Sequence, residues 1–322
     1  MKDVQSVGVV GLGYLGRGIA GCLLGHELSV VGYDVRSDAQ SKARASIQEA
    51  LDELVRYAGF DAARLAEWPA RYRAAASLDD LAECEVVIES VFEDLEVKHA
   101  VLDELEAIVS PSTLLGTNTS ALPISQLQKR RRHPERLLGM HFCPPVHASR
   151  FLELVPGEHT APDAMTAAAQ LGRRIGKDPS VLRKDIPGFV NNRLAYAIFR
   201  EALFLIEAGV ADAATIDRAF RHGVGTWSAL CGPLRWIDIS GGPALYATVM
   251  EGLLPTLSRA AVPPEPIRRL SAEGARGSSG HGFYEYSPED ARHWETRLHQ
   301  HIWSLYELMK KDAPHEEETS SG

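Results

Sequence analysis

Ser6-Val7-Gly8-Val9-Val10-Gly11-Leu12-Gly13-Tyr14-Leu15-Gly16 decides the architecture of this chain. Ser6 to Val10 is an apolar run of strand length, and a helical pattern follows it to about Leu24. Three glycines fall at the junction, each with its own task. Gly11 allows a tight turn, Gly13 lets backbone approach a pyrophosphate, and Gly16 lets the helix pack on the strand. The helix start offers free N–H groups and the positive end of its dipole to an anion. Leu28 to Gly32 reads as a second strand. Asp34 follows it, 21 residues after Gly13, close to the ~20 expected of an acid that accepts ribose hydroxyls. An acid there repels a 2′-phosphate, which favours NAD over NADP, while Arg36 keeps an NADP reading open. Without its neighbours the glycine pattern would fit a turn in an unrelated α/β protein.

The strand–helix alternation continues outward. Ser37-Asp38-Ala39-Gln40 fits a capping box, and Ala43, Ile47, Ala50, Leu51, Leu54 and Val55 recur behind it at helical spacing. This helical excursion leads to a strand at Cys84–Glu89. The spacing then predicts a helix from about Leu95 to Val109 that buries Ala100, Val101, Leu105 and Ile108. Further strands are expected at Thr113–Gly116, Leu137–His141 and Phe151–Val155. The alternation implies a parallel sheet covered on both faces. Near Asp185-Ile186-Pro187-Gly188 the pattern becomes helical. Asn191 to Ala208 carries Leu194, Ile198, Ala202, Leu205 and Ile206 on one face, and Gly209 fits a helix C′ position. Ser287-Pro288 opens a last helix with Trp294, Leu298, Ile302, Leu305 and Met309. Glu316 to Gly322 has nothing to bury and is expected to be mobile. The fold class is an α/β Rossmann-type N-terminal domain over residues 1–185 plus an all-α C-terminal domain over 186–322.

Composition excludes several classes. With 45% hydrophobic and 24% charged residues the chain is an ordinary globular protein, and 322 residues suit two domains. A net charge of −9 makes it a poor binder of nucleic acid or an anionic membrane. The one dense basic run, Lys129 to Arg132, reads as a solvated loop. Cys22, Cys84, Cys143 and Cys231 form no CxxC pair, so no metal site is expected and the thiols suit a reducing cytoplasm. Met1 to Gln5 runs straight into a strand without a signal-peptide core. No apolar stretch approaches the ~20 residues of a membrane span.

Four polar residues fall near strand ends or the domain junction: Ser120, His141, Glu153 and Asn192. Ligands of open α/β sheets bind at the carboxyl ends of the strands. Oxidising an alcohol with NAD requires a base for the hydroxyl proton, and neutral imidazole suits that task. A carboxylate on the other ring nitrogen fixes the tautomer and stabilises the imidazolium. His141 and Glu153 are the candidate pair, and Ser120 and Asn192 the candidates to hold the substrate oxygen. Other readings stand beside these. His141 fits a structural strand end, and Ser120 and Asn192 each fit a helix cap. Glu153 among apolar neighbours is harder to explain without a partner.

Together these segments resemble the 3-hydroxyacyl-CoA dehydrogenase family from about Val7 to Tyr286. The matching stretches are GLGYLG, VVIESVFEDLEVK, NTSALPIS, GMHF, FLELV, PGFVNNRL, the Gly-Pro of CGPLRWIDI, and GHGFYEY. The resemblance implies NAD as cofactor and a small-molecule L-3-hydroxyacyl-CoA substrate, as in fatty acid metabolism. It implies His141 as base with Glu153 as its partner, and Ser120 and Asn192 on the substrate oxygen. On the cofactor side it implies Gly11, Gly13, Tyr14, Leu15, Gly16, Asp34, Arg36, Glu93, Lys98 and Asn118. A homodimer built through the helical domain is also implied.

Two segments depart from the family pattern. Phe142-Cys143-Pro144-Pro145 replaces Phe-Phe-Asn-Pro, so Pro144 removes an amide side chain and a backbone donor, and His147 adds a titratable group. Gly223 to Leu234 looks closer to relatives that oxidise small polar hydroxy acids, namely L-gulonate 3-dehydrogenase (lambda-crystallin) and carnitine 3-dehydrogenase. The alternative function is therefore dehydrogenation of a free polar 3-hydroxy acid, for which Arg150, Arg193 and Arg235 are candidate carboxylate partners. A non-catalytic NAD-binding structural protein is the third reading. The 38–58 helix suits CoA contacts or a plain amphipathic packing role.

Overall fold

Apolar strands and amphipathic helices alternate through the first two thirds of the computed structural model, which describes residues 4–275 and 280–312. Met1–Asp3 and the tail Glu316–Gly322, with the readings made on them, lie outside the described residues. The strands are β1 (Ser6–Val10), β2 (Ser29–Tyr33), β3 (Tyr72–Ala74), β4 (Val86–Glu89), β5 (Leu114–Thr117), β6 (Leu137–Phe142), β7 (Phe151–Pro156) and β8 (Asp178–Val181). They form one eight-stranded sheet in the order β3-β2-β1-β4-β5-β6-β7-β8. Helices α1 (Tyr14–Gly25), α2 (Ala39–Ala58), α3 (Ala62–Ala66), α4 (Trp68–Arg71), α5 (Leu95–Ile108), α6 (Ile124–Gln128) and α7 (Pro162–Arg174) fall between the strands. Val10, Val31, Val87, Leu115, Leu137 and Val155 pack with Leu102 and Leu105 of α5 and Ile124 and Leu127 of α6 in one buried cluster. Elsewhere Gly21 and Gly25 of α1 lie against Ala50 and Leu54 of α2, and Gly172 of α7 against Leu152. These glycines let backbone and strand approach closely.

Contact density divides the chain between Asn192 and Arg193. The second unit contains α8 (Asn191–Glu207) beyond its first two residues, α9 (Ala213–His222), α10 (Gly225–Ile239), α11 (Gly242–Leu253), α12 (Glu265–Ala272) and α13 (Pro288–Asp312). Helix α8 ends as its sequence implies: Gly209 has φ 67°, and Val210 N–H returns to Leu205 O at 3.0 Å. Helix α10 bends at Gly232, with φ 66° and ψ 173°, just before Pro233. Among the described residues no helix is long and apolar enough to cross a membrane.

Several expectations are corrected. The sheet is mixed, because β6 and β7 pair antiparallel. Strand β3 interrupts the helical excursion after β2 and pairs with β2 at the sheet edge. The capping box at Ser37 does not form: Asp38 takes the N-cap position without a side-chain bond. Gln40 instead donates to Gly32 O at 2.8 Å and accepts from Tyr72 Oη at 2.7 Å. In α5 the buried stripe is Lys98, His99, Leu102 and Leu105, not one through Ala100. The stripe is rotated because Lys98 is drawn inward by an acid in β4. The basic run is not simply solvated, since the Arg131 side chain is fully buried beside Asp103 and Glu106 of α5. The apolar face of α8 exists, but no residue of that helix is buried.

Candidate active site

The glycine loop answers a geometric test for the dinucleotide. Gly11 has φ +90°, and a Cβ there would lie 2.6 Å from Ser90 O. A Cβ on Gly16 would lie 1.8 Å from Gly11 O. Both glycines are demanded by the protein itself. A Cβ on Gly13 would meet nothing within 4 Å, so its absence leaves room that no protein atom uses. Helix α1 has no side-chain cap and no acid in its first turn, which leaves its N-terminal donors to an anion. Tyr14 is exposed and Leu15 half-buried beside this opening. Asp34 Oδ2 accepts from Leu12 N at 2.8 Å, and Oδ1 accepts from Arg36 N at 2.8 Å and Arg36 Nε at 3.3 Å. The acid therefore braces the loop and faces Arg36, with lone pairs left for ribose hydroxyls. These residues fit NAD.

His141 is the next-to-last residue of β6, and Glu153 lies in β7. The antiparallel register sets them directly opposite each other. Their 12-residue separation is thus two strands joined by a loop, with His141 Nδ1 to Glu153 Oε2 at 2.9 Å. Both side chains are almost wholly buried, with 6% and 2% exposed. A carboxylate only accepts, so Nδ1–H donates to it and the neutral ring carries its lone pair on Nε2. Among the described residues Nε2 has no hydrogen-bond partner. Glu153 Oε1 accepts from Val190 N at 3.1 Å and Asn191 N at 2.8 Å. Glu153 therefore also caps α8 from outside that helix.

Ser120 and Asn192 come together as well, because Asn192 Nδ2 donates to Ser120 O at 2.8 Å. Neither serves as the helix cap that local sequence permits: α6 takes Pro123 at its N-cap position, and Glu153 caps α8. Ser120 is held from behind by Glu93, whose Oε1 accepts from Thr119 Oγ1, Ser120 N and Ala121 N at 2.6, 2.8 and 3.0 Å. Burial raises the Glu93 pKa, but Thr119, the Lys98 charge and the two backbone donors outweigh it and leave it lowered. Lys98 Nζ is fully buried, 2.8 Å from Glu89 Oε1 and 3.4 Å from Glu93 Oε2. Asn118 ties the strand ends together, donating to Ser90 Oγ at 3.1 Å and accepting from Phe142 N at 2.9 Å. Glu93, Lys98 and Asn118 thus brace the strand-end loops.

The loop joining β6 to β7 is anchored at several points. Pro144–Pro145 is a cis peptide. Val146 sits against Gly18 of α1, where a Cβ would come within 3.1 Å. Lys177 Nζ donates to Val146 O, and to Ser149 O at 2.6 Å. His147 Nε2 lies 2.9 Å from Glu53 Oε2 on α2. Burial and the charge of Glu153 push the Cys143 thiol pKa up, so it is a poor thiolate nucleophile. Arg150 lies 3.8 Å from Asp178, while Arg193 and Arg235 belong to the helical unit.

Sequence reasoning missed Glu89 and Phe189. Glu89 is fully buried in β4 and accepts from Lys98 Nζ, Val91 N and Thr117 Oγ1. The signal that singled out Glu153, an acid inside an apolar strand, was equally present in Cys84-Glu85-Val86-Val87-Ile88-Glu89. Phe189 packs against His141 from a left-handed backbone conformation. No local pattern marks that.

Comparison with known proteins gives a consistent picture. Residues 6–186 match the family model described as 3-hydroxyacyl-CoA dehydrogenase, NAD binding domain, and residues 188–286 match its C-terminal domain. The 5-formyl-3-hydroxy-2-methylpyridine 4-carboxylate 5-dehydrogenase of Mesorhizobium japonicum is 34% identical over 90% of this chain and 93% of its own. A solved structure of an enzyme of that activity, described as an NAD+ dependent dismutase, superposes with TM-score 0.89 and 30% identity over 95% of this chain and 99% of that one. The L-carnitine dehydrogenase of Pseudomonas aeruginosa is 33% identical over 80% of this chain and 79% of its own. The solved (S)-3-hydroxybutyryl-CoA dehydrogenase of Ralstonia eutropha superposes with TM-score 0.73 and 31% identity over 88% of this chain and 100% of that one.

Proposed function

The chain belongs to the 3-hydroxyacyl-CoA dehydrogenase family, and from that premise we propose that it is an NAD-dependent dehydrogenase acting on a small polar carboxylic acid, with His141 as the base. NAD, when bound, supplies the hydride acceptor or donor. His141 Nε2 takes the proton of the substrate hydroxyl. Glu153 on Nδ1 holds the tautomer and stabilises the imidazolium. The Ser120 hydroxyl and the second amide hydrogen of Asn192 donate to the substrate oxygen as charge develops on it. The observation that carries this reading is the register-matched His141–Glu153 pair with Nε2 unpartnered.

The substrate class rests on two supports. One is the closer superposition on the pyridine-carboxylate enzyme than on the hydroxybutyryl-CoA enzyme, TM-score 0.89 against 0.73. The other is the Cys143-Pro144-Pro145 loop in place of Phe-Asn-Pro. The second reading, oxidation of an L-3-hydroxyacyl-CoA to its 3-oxo form, is supported by the family description and by the 31% identity to the hydroxybutyryl-CoA enzyme. In either reading a second copy of the chain covers the apolar faces of the helical unit.

The test is steady-state turnover of NADH with acetoacetyl-CoA beside NAD reduction with L-carnitine, L-gulonate and hydroxylated pyridine carboxylates. Activity on a free acid, falling about a hundredfold or more in His141→Ala with NADH binding intact, is the expected result. Turnover of acetoacetyl-CoA alone would move the assignment to the acyl-CoA reading. Silence with every substrate, with NADH bound, would leave the non-catalytic reading.

A further inference from the structure

Pro187 and Gly188 form a tight turn, closed by Phe189 N–H donating to Ile186 O at 2.9 Å, with Gly188 at φ 77°. Proline followed by glycine at positive φ is the signature of a type II turn. The next residue is unusual. Phe189 is itself left-handed, at φ 51°, a region that bulky side chains seldom enter. A glycine would take this conformation without strain, so the aromatic ring must answer to something else. It is completely buried, and its centroid lies 5.7 Å from that of the His141 ring at a 60° tilt. Phe151 meets the same imidazole edge-on from 5.6 Å. Immediately after Phe189, Val190 and Asn191 donate their N–H groups to Glu153 Oε1. Gly188 N–H also reaches Ala121 O at 3.3 Å, which ties the turn to the Ser120 loop.

We propose that Phe189 is a positioning residue for the His141–Glu153 pair. Its ring fixes the plane of the imidazole, and its left-handed backbone aims the two following N–H groups at the carboxylate. The inference rests on His141 being the base, but it predicts a property of the resting protein. A ring held between two aromatic side chains and a fixed carboxylate keeps its Nδ1–H bonded and shielded from water. The titratable groups of the surrounding loops include Cys143, after β6, whose thiol feels the Glu153 charge, and Glu93, behind Ser120. Neither hydrogen-bonds to the pair.

The test uses the full chain labelled with ¹⁵N-histidine, without substrate. The His141 Nδ1–H resonance is identified by its absence from His141→Ala, and its exchange with solvent is measured. Phe189→Leu removes the ring and keeps an apolar side chain at the same position. It should accelerate that exchange about tenfold or more and lower kcat on the substrate found above, with the Kd for NADH within twofold of wild type. Unchanged exchange in folded Phe189→Leu would overturn the proposal. If Phe189→Leu does not fold, Gly188→Ala strains the turn without touching the ring, and unchanged exchange there overturns the proposal in the same way. Full activity in His141→Ala would instead remove the base assignment, a result separate from the exchange measurement.

Discussion

Helices α2 and α8 carry the same kind of amphipathic pattern and end differently. In α2, Ala43, Ile47, Ala50, Leu51 and Leu54 are buried, and α1 lies against them through Gly21 and Gly25. In α8, Leu194 is 53% and Ile198 41% exposed. The contrast extends to the units that hold them. Strands β4, β5 and β6 are buried over every residue, whereas α8, α9, α10 and α11 bury none. An apolar stripe says that a helix needs a cover but not what the cover is. The α/β unit supplies its own. The helical unit exposes Leu234 on α10 and Leu245, Val249 and Leu253 on α11.

The sharpest way to break this contrast is to damage the self-sufficient side. Lys98 and Glu89 are both fully buried and paired at 2.8 Å. Lys98→Met strands the Glu89 charge, and removing one partner of a buried pair costs about 3–5 kcal/mol. Urea unfolding should show that loss, together with weakened retention of the Ser120 loop, since Glu93 also loses its cation. A loss below about 1 kcal/mol, the range of exposed pairs, would mean that the network does not hold the unit together.

The opposite side is tested by Leu234→Glu on α10. Leu234 is 77% exposed, so the change should leave a monomer folded. If a second copy covers this face, a buried glutamate there should weaken association by about 2 kcal/mol or more, roughly thirtyfold. Sedimentation across a dilution series reads that shift. An unchanged mass at every concentration would show that Leu234 faces no second copy.

How far the sequence could be read follows the same division. Local rules sufficed where a residue answers to its neighbours in the chain. The glycine turn after β1, the C-terminal glycine of α8 and most strands are of that kind. The pairing of His141 with Glu153 was legible as chemistry, but its cause was not. The expected parallel sheet would not place them opposite each other, and only the antiparallel β6–β7 register does so. Arg131 was hidden for a related reason: its partners Asp103 and Glu106 lie on α5, about 28 and 25 residues earlier in the sequence, beyond any local pattern. Phe189 was hidden because a left-handed phenylalanine has no sequence signal, and its reason for being there is the ring of His141.

The smallest expected effect concerns Asp34, and it asks whether the dinucleotide loop is a closed device of the first unit. Both carboxylate oxygens already serve the protein, one on Leu12 N and one on Arg36. Asp34→Ala therefore removes acceptors for the ribose and a brace for the loop in one step. A charged hydrogen bond contributes ~1.5–3 kcal/mol; at the low end of that range, which suits a solvent-facing site, the Kd for NADH should rise about tenfold. Arg36, with 58% of its side chain exposed, would then be released to meet a 2′-phosphate, and NADPH should lose less affinity or gain some. Asp34→Ala combined with Arg36→Ala should remove that relief while leaving NADH as weak as in the single variant. Titration of both nucleotides against the three proteins by fluorescence measures all of this. Unaltered NADH affinity in Asp34→Ala would take the ribose role from Asp34. Because the loop is closed by contacts within its own unit, the sedimentation behaviour that Leu234→Glu alters should be identical in wild type and Asp34→Ala.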